Sequence, residues 1–361
     1  MTAPKQLYQQ QVRIFYPLQQ GKITLRTEQD WKIDIEPVSV DDNGQALTFN
    51  VESELPFLYC KPCLLLDGEV RWAAGENYLV IMTQPGISEI HPFFWAPETG
   101  SFPPLIEFDS AIMGRKHRLR VYLPAGYAEN TLDRYPVLYM QDGKNLFFPD
   151  EAFAGSEWHV DEILAMMDAM NAIDEMIVVG IYAEDRMMEY TKPGYETYGR
   201  SVVEEVIPLI DAQYRTLTGP QNTHVMGSSL GGVVSFFMAW QWPKVFGRAA
   251  CLSSTFTFRD DLIERVLSEP KRDVRFYVDS GWPGDNYEAT LSMAMALVER
   301  GYIYGRDLVH FVFPMASHSE AAWADRLHLP IQMFSGKVRQ ASRSKLGWRS
   351  ITDGPPAAGQ P

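Results

Sequence analysis

"HVMGSSLGGVVSFF", residues 224–237, crowds two adjacent serines and three glycines between a strand-like run and a helix-like run. Glycine loses more conformational freedom on folding than other residues, so a cluster of them marks a turn that side chains would obstruct. Within it, Gly227-Ser228-Ser229-Leu230-Gly231 fits G-x-S-x-G, in which small neighbours let a serine sit on a strained strand-to-helix corner. A Gly/Ser pentapeptide also arises by chance, and the bland alternative is a tight turn that merely lets helix and strand pack closely. The flanks decide between the two.

Outward from the serine, residues 105–336 alternate strand-like and helix-like segments. "RLRVYLP" and "YPVLYMQDG" lead to "WHVDEILAMMDAMNA"; "MIVVGIY" precedes "RSVVEEVIPLIDAQY"; "RAACLSS", "VRFYVDSG" and "LVHFVFP" continue the series. Short, nearly continuous apolar runs between helices predict a mostly parallel sheet covered on both faces, an α/β fold. Ligands collect at the carboxyl ends of the strands in such sheets, so Ser229 at a strand end faces a functional crevice. The context favours a nucleophile over a plain turn.

Residues 1–90 have another texture. "KITLRT", "WKIDIEPVSV", "ALTFNVE", "FLYCKPCLLL" and "NYLVIMTQ" alternate with period two and are broken by Asn-Gly and Asp-Gly, which predicts antiparallel strands in a small β-sandwich. Residues 91–104 hold Pro92, Pro97, Pro103 and Pro104 and read as a linker. Residues 337–361, "KVRQASRSKLGWRSITDGPPAAGQP", show no apolar period and read as a disordered tail.

Composition bounds the function. A chain of 361 residues with 46% hydrophobic content can bury a large core. The formal net charge of −14 argues against a nucleic-acid surface or an anionic membrane as partner, and disfavours a highly anionic substrate. No stretch is apolar enough to span a bilayer, and "MTAPKQLYQQQVRIFYPLQQ" lacks the apolar core of a secretory leader, so a cytoplasmic location is expected. Three cysteines are too few for a disulfide framework. Cys60 and Cys63 form C-x-x-C inside a strand-like run with no second pair, which reads as structural rather than as a redox or zinc site.

A serine hydroxyl is a weak nucleophile at neutral pH and needs a base, itself oriented by a carboxylate. Of seven histidines, only His318, in "FPMASHSEAAW", follows the serine in a loop just past a strand. "VRFYVDSGWPGDNYEA" offers Asp279, Asp285 and Glu288 at or past a strand end. Asp279 continues the strand's alternation, and Glu288 opens a helical period where the dipole favours an acid. Asp285 lies in the irregular stretch after Gly281-Trp282-Pro283-Gly284 and is preferred as the orienting acid, although strand order alone leaves all three open. Backbone donors for a tetrahedral oxyanion would be the N–H of Leu230 and that of Gly143 in "YMQDGKNLF". Asp142 and Lys144 flank Gly143.

"RLRVYLPAGY", "YPVLYMQDGKNLF", "MGSSLGGVVSFFMAWQWPKVFGRAACLSS", "VDSGWPGDN" and "ASHSEAAW" together resemble the esterase family of α/β-hydrolases that includes enterochelin esterases, esterase D-type S-formylglutathione hydrolases and feruloyl esterases. The likeness covers roughly residues 105–336 and is greatest to the enterochelin-esterase branch, where a sandwich precedes the hydrolase. It implies an α/β-hydrolase fold with Ser229 as nucleophile and His318 as base, and an acid in a strand-Gly loop like the one carrying Asp285. Arg186 and Glu189 in "DRMMEY" resemble the family's Arg-x-x-Glu loop near the pocket. "ITLRTEQDW" and "DGEVRWAAGENYLV" resemble starch- or glycogen-binding sandwich modules, in which Trp31 and Trp72 would stack on sugars; the preferred reading is that both fill the sandwich core.

These observations predict a serine carboxylic-ester hydrolase acting through Ser229, His318 and Asp285 on a small-molecule ester, with no metal or organic cofactor. The rivals are a siderophore trilactone esterase and a non-catalytic glycan-binding protein with a vestigial hydrolase. Intact serine, histidine and acid candidates argue against the latter.

Overall fold

The computed structural model describes residues 6–337. The expected disordered tail therefore lies, from residue 338 onward, outside the described residues. Strands β1 (Tyr8–Phe15), β2 (Lys22–Thr27), β3 (Asp30–Ile35), β4 (Ser39–Val40), β5 (Ala46–Ser53), β6 (Phe57–Leu66), β7 (Glu69–Trp72), β8 (Tyr78–Ile81) and β9 (Ile87–Ile90) form two sheets. One has the order β4-β5-β1-β9; the other has β3-β2-β6-β7, with β8 also on β6. Alternation explains the sandwich: Val12, Ile14, Ile23, Leu25, Phe49 and Leu58 point inward and close a common core.

The same alternation corrects the reading of the tryptophans. Cys60 belongs to that core. Cys63, three residues along β6, points to the other face of the sheet, and Trp72 is its cross-strand partner. Trp72 thus lies on the outer face, where it meets Trp31 edge-on with ring centroids 6.1 Å apart. Neither ring fills the core. Opposite faces also keep the two cysteines from acting as a pair, and both are buried free thiols.

The second sheet system contains β10 (Ile106–Ser110), β11 (Arg115–Tyr122), β12 (Val137–Gln141), β13 (Ile177–Ile181), β14 (Thr223–Ser228), β15 (Arg248–Leu252), β16 (Arg275–Trp282) and β17 (Leu308–Pro314). Its order is β10-β11-β13-β12-β14-β15-β16-β17. The pairs β10–β11 and β11–β13 are antiparallel, and those from β13 to β17 are parallel. This is an α/β-hydrolase fold. Every residue of β12, β13 and β14 is buried, which is why β12 and β13 read as nearly continuous apolar runs; in β14 the polar Thr223, His224 and Ser228 are buried as well. The helices are α1 (Val160–Ala169), α2 (Arg186–Glu189), α3 (Gly194–Ser201), α4 (Ile207–Gln213), α5 (Leu230–Gln241), α6 (Leu262–Ser268), α7 (Tyr287–Glu299), α8 (Glu320–Ala324) and α9 (His328–Ser335). They close two cores, one on each face of the sheet.

The proline-rich stretch between the units is pinned rather than free. The Glu129 carboxylate accepts hydrogen bonds from the Tyr16 hydroxyl and from the backbone N–H groups of Phe94, Trp95 and Ala96, all within 2.7–2.8 Å. β16 also runs further than "VRFYV": pairing with β17 carries it to Trp282, opposite Pro314, so Asp279 lies inside the strand rather than at its end. No helix among the described residues is long and apolar enough to cross a membrane.

Candidate active site

Ser229 occupies the corner between β14 and α5 with φ 56° and ψ −123°. A non-glycine residue there costs of order 1–3 kcal/mol, which the surrounding structure must offset. The offset is visible in its neighbours. A Cβ on Gly227 would lie 2.5 Å from the Gly231 carbonyl carbon, so strand and helix touch through backbone alone. The Ser229 N–H donates to the Leu252 carbonyl at 2.9 Å, tying the corner to the end of β15. Leu230 opens α5, where the first N–H groups have no acceptor within the helix. Ser228 belongs to β14 and is buried.

His318 lies on the loop after β17, with its side chain 35% exposed, beside a fully buried Asp285 side chain on the loop after β16. The two meet at 2.7 Å, Nδ1 to Oδ1. Asp285 Oδ1 also accepts the Asn286 N–H at 2.8 Å, while Oδ2 accepts from the Ser253 hydroxyl at 2.5 Å and the Gly281 N–H at 2.6 Å. Burial by itself pushes the Asp285 carboxyl up, yet these hydrogen bonds together bring it down to about 2. An ionised carboxylate only accepts, so Nδ1 of His318 carries the donated proton and Nε2 presents a basic lone pair.

Asp142 and Gly143 follow β12 and abut the elbow: a Cβ on Gly231 would lie 3.2 Å from Asp142 Oδ2. Gly143 opens a short 3₁₀ turn and is buried. The Asp142 carboxylate is buried, which pushes it up, and Arg186 opposes this from 2.8 Å. Lys144 is exposed on the same turn. The expected Arg-x-x-Glu pair separates. Arg186 turns to Asp142, but Glu189 is buried and held by Arg115 of β11 at 2.6–2.7 Å. Glu189 is thereby paired with Arg115 and not with Arg186. Of the other acids, Glu288 is exposed in the first turn of α7.

Asp279 is wholly buried and gripped by Arg326, whose Nε and Nη2 donate to its two oxygens at 3.0 and 3.1 Å. Sequence reasoning missed three residues under the site: Ser253, Trp323 and Arg326. The signal was an arginine inside the otherwise apolar-faced "AAWADRLHL", where a charge needs a buried partner. Trp323 stands edge-on to the His318 ring, centroids 5.0 Å apart.

Residues 110–329 match a family model described as "Putative esterase". The chain belongs to this family. Over 158 residues it is 27% identical to the uncharacterized protein YbbA of Bacillus subtilis, covering 40% of this chain and 58% of that protein. Over 206 residues it is 29% identical to an endo-1,4-beta-xylanase/feruloyl esterase of Xylanibacter ruminicola, covering 55% of this chain and 27% of that one. This chain thus spans well under two thirds of either relative. Among solved structures, a ferulic acid esterase superposes with TM-score 0.58 at 19% identity, over 66% of this chain and 98% of that one. An enterobactin esterase from Shigella flexneri superposes with TM-score 0.56 at 14% identity, over 91% of this chain and 93% of the other, so the likeness in fold extends across the sandwich.

Proposed function

We propose that the protein is a serine carboxylic-ester hydrolase. Ser229 Oγ attacks the acyl carbon while His318 Nε2 takes its proton and returns it to the departing alcohol; Asp285 fixes the imidazole and stabilises the imidazolium. The N–H groups of Leu230 and Gly143 receive the oxyanion, and water then resolves the acyl-enzyme. The observation that carries this reading is the His318–Asp285 hydrogen bond of 2.7 Å, formed on loops after β16 and β17, which run parallel to the strand β14 whose end carries the strained Ser229 corner. Arg186 and Lys144 offer positive charge to the substrate, with Asp142 restraining Arg186. A cytoplasmic setting belongs to the reading and is supported by three free thiols.

A siderophore trilactone esterase is the second reading. The likeness in fold to an enterobactin esterase over 91% of this chain supports it. The net charge of −14 weighs against it, since a ferric catecholate trilactone is trianionic. Purified protein assayed on aryl acetates, S-formylglutathione, feruloyl esters and ferric trilactones separates the readings. Hydrolysis of none of these, with no labelling by a fluorophosphonate, would overturn both.

A further inference from the structure

Ser253 follows β15 with φ 44° and is completely buried. Its hydroxyl oxygen accepts from Trp323 Nε1 at 2.9 Å and from Arg326 Nη2 at 2.7 Å. A serine hydroxyl has two lone pairs and one proton. Both lone pairs are occupied by groups that can only donate, so the proton has one destination left: Asp285 Oδ2, at 2.5 Å. The direction of this bond is fixed by the chemistry of its neighbours.

Arg326 is arranged to supply direction rather than charge. Its fork is spent on Asp279, Nη1 donates to the Ala322 carbonyl at 2.8 Å, and Nη2 stays 4.0 Å from Asp285 Oδ2. Asp279 is further held by the Tyr277 hydroxyl at 2.8 Å and the Ser253 N–H at 3.2 Å. A buried pair with matched charges sits beneath the site without competing with His318 for Asp285.

We propose that Ser253, oriented by Arg326 and Trp323, is a positioning residue that commits Asp285 Oδ2 to a fixed side-chain donor and thereby leaves His318, among the described residues, as the one side chain paired with Oδ1, beside the Asn286 N–H. The proposal rests on the Ser229–His318–Asp285 reading above. The charged or titratable groups around Asp285 are His318 from the loop after β17, Arg326 from the turn between α8 and α9, and Asp279 from β16, already neutralised by Arg326. Removing the Ser253 hydroxyl leaves the Asp285 carboxylate less stabilised, so the His318–Asp285 pair holds its proton to higher pH.

The test compares wild type, Ser253→Ala and Ser253→Cys on an aryl ester across pH, with fluorophosphonate labelling of Ser229 and near-UV circular dichroism as a check of fold. Ser253→Ala is expected to lower kcat about tenfold to a hundredfold, the rate equivalent of one hydrogen bond to a charged group. KM should stay close to wild type, and the acid limb of kcat/KM should move upward. Ser253→Cys, a weaker donor of similar size, should fall between and covers the case in which the alanine variant does not fold. Unchanged kcat and pH profile, or a loss of kcat with no movement of the acid limb in a folded variant, overturns the positioning role. Failure of wild type to label at Ser229 overturns the triad itself, which distinguishes the two failures.

Discussion

Asp285 Oδ1 lies 2.7 Å from His318 Nδ1, although the residues are far apart in sequence and belong to loops after different strands. Adjacent parallel strands β16 and β17 bring the loops together, and the Gly281 N–H near the end of β16 reaches Asp285 Oδ2 at 2.6 Å. The carboxylate is thereby folded back under the imidazole instead of extending into solvent.

If Asp285 serves His318, Asp285→Asn should keep the fold and lower kcat by about 10⁴-fold, as loss of the correct tautomer does in the serine-protease template. Asp279→Asn should do the reverse. It leaves the Arg326 guanidinium buried without its counter-charge, a change that costs roughly 3–5 kcal/mol. Denaturant unfolding alongside steady-state rates distinguishes them; near-normal turnover in Asp285→Asn would transfer the role to another acid.

Ser229→Ala should abolish fluorophosphonate labelling and lower turnover by at least about 10⁴-fold. Ser228→Ala should still be labelled, because Ser228 is a buried strand residue outside the corner. Peptide mass spectrometry locates the adduct, and a label on Ser228 would refute the assignment.

Gly281 keeps the His318 loop close: a Cβ there would lie 2.0 Å from the Ala316 carbonyl oxygen. Gly281→Ala must push the end of β16 and the His318 loop apart. Its kcat should fall by at least about tenfold while the core unfolds at nearly the wild-type denaturant concentration, since a shift of about 1 Å in a catalytic group can cost up to ~10²-fold. Wild-type kcat in this variant would show that the site tolerates this separation.

The pH dependence of stability follows from the depressed Asp285 carboxyl. Its folded value of about 2 lies below the ordinary 3.8, so its contribution is full above the ordinary value and is lost as pH falls toward 2. Asp285→Asn should remove that increment. The difference in unfolding free energy between wild type and variant is therefore expected to shrink between pH 5 and pH 2, by roughly the linkage of one carboxylate; a constant difference would contradict the direction of the shift.

With a net charge of −14, neutral aryl esters should be turned over faster than polyanionic esters of the same acyl group at low ionic strength, and the gap should narrow as salt is added. Stopped-flow or steady-state kcat/KM against salt concentration measures this. A strong low-salt preference for a ferric trilactone would favour the siderophore reading instead.

Local sequence determined what local forces determine. The apolar runs of β12 and β13 and the glycines around Ser229 were legible because burial on both faces and a backbone-only corner each restrict residue type at consecutive positions. His318 was legible by elimination, since few positions follow a strand in a loop downstream of the serine. What only the tertiary structure decided was which polar groups meet. Asp279 and Arg326 are 47 residues apart, and Ser253 and Trp323 are 70 apart, so no spacing rule joins them. Arg186 and Glu189 share one helical turn, yet packing sends one to Asp142 and the other to Arg115. The outward face of Trp72 was likewise set by strand pairing rather than by its apolar character. A buried charge or hydroxyl must be satisfied by whatever the fold brings within hydrogen-bonding reach, and that choice belongs to the packed chain.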